Sequence, residues 1–159
     1  MSYDLMVFEP GAVPSERRAF LDWYDRVMEE EGDFDPFDPA TTAPGLRAWY
    51  FDMLERFPAM NGPQAVAEDD PAFDTPWITG YSFSPHAIYV DFRWDVAEQA
   101  YKHGLALAAK HDVGFYDVSD PNGAVWLPQG RAYRIAHAEG DAAPKDKRAP
   151  VFQFFRRKP

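Results

Sequence analysis

Proline sets the punctuation of this chain. There are 15 prolines in 159 residues. Each fixes φ and removes a backbone donor, so regular elements have to fit between them. Residues 3–8, Tyr-Asp-Leu-Met-Val-Phe, read as a short strand that Pro10, Gly11 and Pro14 break. Pro14 suits the first turn of a helix, where a missing N–H costs nothing. From Ser15 to about Glu31, Phe20, Leu21, Tyr24, Val27 and Met28 recur at helical spacing, with Trp23 close to the same stripe, and Gly32 ends the run. Residues 33–41 hold two prolines and three aspartates and read as a loop. Thr42 is the expected N-cap of a second helix, with Pro44 in its first turn. Leu46, Trp49, Tyr50, Met53, Leu54 and Phe57 give that helix a broad apolar stripe, and Pro58 stops it. Pro58, Pro63, Pro71 and Pro76 then mark residues 58–77 as a long irregular connection, a kind of segment that often carries function.

Residues 78–84 and 87–92 look like two strands around Ser84-Pro85-His86. In the second, Ile88, Val90 and Phe92 share one face and Tyr89 and Asp91 the other. Asp95 followed by Glu98 has the spacing of a capping box, which predicts a helix running to about Lys110. Residues 113–118 form another strand, Asp120-Pro121-Asn122-Gly123 is a turn, and 124–127 can return as a hairpin partner. The order is β-α-α-β-β-α-β-β. Without the second helix and the last strand it is βαββαβ. The expected fold is therefore α+β: a ferredoxin-like sandwich with an extra helix and a C-terminal hairpin strand, its helices on one sheet face. A differently connected α+β sheet is the alternative.

Charge divides the chain. Residues 1–128 carry 8 basic and 23 acidic side chains, a balance of −15. Residues 129–159 carry 8 basic and 3 acidic ones, a balance of +5. This suggests one acidic domain over 1–128 and a basic, partly irregular tail over 129–159. Within the tail, Arg131 to His137 can add a strand and residues 139–150 read as a linker. The segment 151–158, Val-Phe-Gln-Phe-Phe-Arg-Arg-Lys, is apolar and basic, and is expected to dock on the acidic body of its own chain, with capture of a partner as the alternative.

The acidic body repels phosphate backbones, so nucleic acid is not an expected partner. Tyr81, Phe83 and Tyr89 could make an aromatic sheet face like those that stack bases, but the basic residues of such domains are missing, and a covered core is the better reading. No apolar run is long enough to span a membrane. The start of the chain has no basic region followed by an apolar one, so a cytoplasmic location is expected. Cysteine is absent, which excludes disulfides, thiol nucleophiles and thiolate metal sites.

The usual motifs of catalysis and ligation are also missing. No serine lies in G-x-S-x-G, and there is neither a P-loop nor a dinucleotide fingerprint. Asp33, Asp35 and Asp38 suggest a calcium loop, but counting from Asp33 places Phe37 at position 5, Asp38 where glycine belongs, and Pro44 where the bidentate glutamate belongs. His103 and His111 lie about 12 Å apart along one helix and cannot share a metal ion. No metal and no cofactor are expected.

What remains is charge in loops. Glu30, Glu31, Asp33, Asp35 and Asp38 form one dense acidic cluster, and Glu68, Asp69 and Asp70 a second. Like charges packed this closely repel, and a basic protein partner would relieve that cost while electrostatic steering speeds its arrival. The alternative is a small enzyme or ligand-binding domain with a cleft near the 58–77 loop. Its polar groups would be Asp91, His111 and Asp117, since both aspartates interrupt apolar strands and a buried carboxylate needs hydrogen bonds or a cation, such as Arg93 or a nearby histidine.

Three stretches carry a resemblance: Tyr3-Asp4-Leu5-Met6-Val7-Phe8, Phe57-Pro58-Ala59-Met60-Asn61-Gly62-Pro63, and Lys110-His111-Asp112-Val113-Gly114-Phe115-Tyr116-Asp117-Val118-Ser119. They resemble segments of a family of small, uncharacterised acidic bacterial proteins, over about residues 3–127, with the tail outside. That family is similar in general character to toxin immunity proteins, which neutralise a toxin domain by binding it. The likeness is one of charge, size and compartment; it agrees with a basic protein partner, and no catalytic residue is carried over from it.

Overall fold

A computed structural model describes residues 1–140. Nine regular elements follow one another: β1 (Ser2–Phe8), α1 (Arg17–Met28), α2 (Pro44–Met53), β2 (Gly80–Ser84), β3 (Ala87–Arg93), α3 (Ala97–Lys110), β4 (Gly114–Tyr116), β5 (Val125–Gln129) and β6 (Ala132–His137). The fold is α+β. All six strands join one antiparallel sheet in the order β2-β3-β1-β4-β5-β6. The first strand of the chain is thus central, with Leu5 opposite Val90 on one side and Met6 opposite Tyr116 on the other. The strand expected near residues 131–137 forms β6, so the sheet continues past residue 128. The segment 151–158 and the expected linker from residue 141 onward lie outside the described residues.

Helices cover both faces of the sheet, not one. Tyr3, Leu5 and Val7 point to one side with Ile88, Val90 and Phe92, where α2 and α3 pack through Leu46, Trp49, Met53, Ala100 and Ala108. Met6 and Phe8 point to the other side, where α1 supplies Phe20 and Trp23. The Phe8 ring lies 5.4 Å from that of Phe20 and 5.8 Å from that of Trp23. The cause is in β1 itself. Leu5-Met6-Val7-Phe8 is apolar at both parities, as in a strand buried on both faces. Each of these side chains, once buried, is worth roughly 1.5–3 kcal/mol. A layer on one face alone would leave Met6 and Phe8 in water. On the α2 side, Gly104 lets α3 approach closely, because a Cβ there would stand 3.4 Å from Leu5 and Phe115. The Gly104 carbonyl also accepts the Trp49 indole N–H at 3.0 Å.

Tyr81, Phe83 and Tyr89 do not form one face. Tyr81 and Phe83 pack under α2, with ring centroids 4.8 and 4.9 Å from Tyr50. Tyr89 belongs to the α1 side.

Two expected caps are not used. Ala43, not Thr42, precedes α2, and the Thr42 hydroxyl is buried with no hydrogen-bond partner among the described residues. Before α3, Trp94–Val96 form a 3-10 turn and Val96 becomes the N-cap. Burial of Val96 in the core turns Asp95 out to solvent, and Glu98 bonds Lys102 at 2.6 Å instead. At α1 the cap is Glu16, whose carboxylate accepts the Ala19 N–H at 2.8 Å, and the helix ends at Met28, short of Gly32. Among the described residues no helix is long and apolar enough to cross a membrane.

Candidate functional site

The two acidic clusters are far apart in sequence, and the fold brings the loops that carry them to one sheet edge. β2 is an edge strand, and its outward backbone groups would otherwise invite another chain to pair. Both loops close it. Pro36 O accepts the Phe83 N–H at 2.8 Å. The Asn61 amide grips Tyr81 from both ends: Nδ2 donates to its carbonyl at 3.0 Å and Oδ1 accepts its N–H at 3.2 Å. The loops also touch each other. Gly62 has φ +83°, and a Cβ there would stand 2.5 Å from the Phe37 carbonyl oxygen. Only glycine fits both the backbone angle and the space.

The acidic residues divide by task. Asp35, Asp38 and Asp70 shape their loops: they accept the N–H groups of Phe37, Ala40 and Ala72 at 2.9, 2.8 and 2.9 Å. Glu30, Glu31, Asp33, Glu68 and Asp69 are exposed and have no ion-pair partner among the described residues. Exposed Phe37 and Met60 stand in these two loops.

The alternative ligand residues Asp91, His111 and Asp117 are not brought together. Asp91 lies on the α1 face of the sheet, directly opposite Asp4 on β1. Burial first, and then the Asp4 charge, raise its carboxyl above the ordinary range. It lines a cavity of about 260 Å³ with Met60, Ile78 and Arg93, beside the 58–77 loop. Asp117 follows β4 on the opposite face. It is 5% exposed, and neither Arg93 nor a histidine serves it; its Oδ1 accepts the Tyr3 hydroxyl at 2.9 Å. Burial pushes its carboxyl up to about 6, against the lowering effect of Tyr3.

His111 sits at the other end of the sheet, at the C-terminus of α3. Its Nε2 lies 2.7 Å from Asp52 Oδ2, which also takes Lys110 Nζ at 2.8 Å. Lys110 and then His111 hold the Asp52 carboxyl below its ordinary range. His111 lines an open cleft of about 510 Å³ together with Glu9, His86 and the start of α2. His86 Nδ1 is 2.6 Å from Glu9 Oε2, so two histidine–carboxylate pairs border this cleft.

Two polar clusters escape sequence reading. Asp4 accepts the Tyr89 hydroxyl at 2.7 Å and the Ser2 hydroxyl at 2.7 Å, and Ser119 Oγ accepts its N–H at 2.8 Å. Tyr24 joins this group through Tyr89, and burial raises its hydroxyl to about 12. The second cluster surrounds Arg17, 4% exposed at the start of α1. Its guanidinium donates to Gly123 O at 2.6 Å and stands 3.3 Å from His137 Nδ1 and 3.8 Å from Glu139. Alternation could have marked Asp4, an acid between Tyr3 and Leu5. No local signal marks Arg17: Gly123, His137 and Glu139 lie in the β4–β5 turn, in β6 and just beyond it.

Among the described residues no three His, Cys, Asp or Glu are grouped to hold a metal ion. Compared with known protein families, with curated proteins and with solved structures, the chain finds no match.

Proposed function

We propose that this chain is a protein-binding module that takes a basic protein partner on the rim formed by the 29–38 and 58–77 loops. One observation carries the reading: two acidic clusters thirty residues apart stand on loops bonded to the same strand edge, and five of their carboxylates have no ion-pair partner among the described residues. Backbone hydrogen bonds preorganise both loops, which lowers the ordering cost of binding. The finer reading is an immunity protein that neutralises a basic toxin domain, and the resemblance noted above supports it. In the same finer reading, β2-β3-β1-β4 is a ferredoxin-like variant with α1 carried to the other face. The module acts by occupying its partner and needs no cofactor.

The test is a pull-down from the source cell's lysate with the intact chain, at low and high salt. The comparison is a variant with Glu30, Glu31, Asp33, Glu68 and Asp69 changed to lysine. None of these five makes a bond that shapes its loop. The expected result is one stoichiometric basic protein, weakened by salt and lost with the variant. Equal capture by both chains would overturn the reading.

The ligand-binding alternative has one observation in its favour, the 510 Å³ cleft bordered by the His86–Glu9 and His111–Asp52 pairs. It would use His111 without Asp91 or Asp117. A thermal-shift screen in which H111A abolishes a ligand-induced rise in Tm would bring this reading forward. A screen with no rise would retire it.

A further inference from the structure

α1 packs on the end of its sheet face that holds Phe8 and Ala87. Toward the other end of that face, Asp91 stands between Gly80 on β2 and Asp4 on β1. Gly80 makes room for it, because a Cβ there would overlap the Asp91 carboxylate. The 58–77 loop closes on the same place, where the Met60 N–H donates to Thr79 O at 2.9 Å. Here lies the cavity of about 260 Å³, with Met60 and Ile78 as apolar wall and Asp91 as its acid. No side chain among the described residues bonds or pairs with the Asp91 carboxylate. Asp4 has the Tyr89 and Ser2 hydroxyls, and Arg93, which also lines the cavity, reaches Asp95 at 4.0 Å. Burial and the Asp4 charge both penalise a bare negative charge at Asp91.

We propose that this cavity takes an alkylammonium group, a lysine side chain of the basic partner, with its methylenes along Met60 and Ile78 and its head on Asp91. The occupant's identity as a partner side chain rests on the protein-binding reading. The chemistry of the cavity selects it. Lysine has an apolar stem that lies on apolar surface and a compact charged head with three donors. Asp91 offers a carboxylate with no ion-pair partner among the described residues. An ammonium on Asp91 offsets the cross-strand repulsion from Asp4 that folding alone leaves in place. A neutral ligand would leave that repulsion as it is, and an anion would add to it. Met60, 42% exposed, belongs both to the 58–77 loop and to the cavity wall, so the cavity is continuous with the acidic rim. The exposed carboxylates of the rim attract a basic surface over distance, and the cavity holds one of its side chains.

The test is an NMR titration of the intact chain with butylammonium chloride, with butan-1-ol as the neutral match. The expected result is saturable shifts of the Met60, Ile78 and Asp91 amides with butylammonium, and none with butanol or in D91N. D91N removes a charge that faces Asp4, so the variant should stay folded, and unmoved Trp49 and Phe115 resonances in the opposite core would show it. G80A displaces the carboxylate from the other side and should also weaken butylammonium binding. Absent shifts, saturable shifts with butanol, or shifts that persist in D91N would overturn the proposal. A second arm asks where the ammonium comes from. In the pull-down, D91N should weaken capture of the partner by about tenfold or more in Kd. Unchanged capture beside a working butylammonium site would mean that a free amine is the ligand, which overturns the lysine assignment. The titration contains no partner, so an empty pull-down and an empty cavity are separate outcomes.

Discussion

Asp117 ties the stability of the fold to pH. Its carboxyl titrates near 6 in the folded chain and near 3.8 when exposed. Between those values the folded chain holds a proton that the unfolded chain has released. The protonated form therefore favours folding at low pH, fully below about 4, and that contribution is lost as pH rises through about 6. A shift of this size corresponds to about 2–3 kcal/mol. Asn at this position can still accept the Tyr3 hydroxyl and carries no charge. D117N should therefore be more stable than the parent at pH 7.5 by up to about 2 kcal/mol, and nearly equal to it at pH 4. Urea unfolding at the two pH values checks this, and an identical difference at both would sink the assignment. Alternation in the sequence picks out Asp91 and Asp117 as breaks in apolar strands. It does not show that they lie on opposite faces of the sheet, nor that Asp117's partner is Tyr3, 114 residues away.

The β2 edge is the element most dependent on its surroundings. N61A would strip the Tyr81 backbone of both bonds and cost about 1–3 kcal/mol. Amide exchange at Tyr81 should quicken more than exchange in β1, and exchange measured by NMR would show this. G62A meets the Phe37 carbonyl at a backbone angle unsuited to alanine, and is expected to destabilise by more than about 1 kcal/mol in thermal melts. All three helices and all six strands of the described residues are legible from apolar spacing and proline breaks, because those signals are local. The faces the helices cover are not. The connections from β1 to α1 and from α1 to α2 are irregular, and nothing in their composition sets a direction. The clue lies in β1, where Leu5-Met6-Val7-Phe8 demands cover on both sides. The two missed caps have a related cause: Val96 is drawn into the core and so shifts the start of its helix, while Thr42 is itself buried rather than free to cap.

At the scale of the whole molecule, salt should act in opposite directions on folding and on binding. Screening relieves repulsion among the carboxylates of an acidic body, so Tm is expected to rise between about 10 and 150 mM salt. Association with a basic partner should slow over the same range. Calorimetry and stopped-flow mixing give the two signs, and a Tm that falls with added salt would mean that the surface carboxylates are already compensated. The position of β1 adds a constraint in time. Phe8 and its sheet partner Ala87 are 79 residues apart in the chain. At about 5–20 residues per second, a ribosome needs roughly 4–16 s to make that interval. Throughout it the future centre of the sheet is a bare apolar ribbon with no strand to pair with, so a cell making this protein has to shield its first strand before it can use its last.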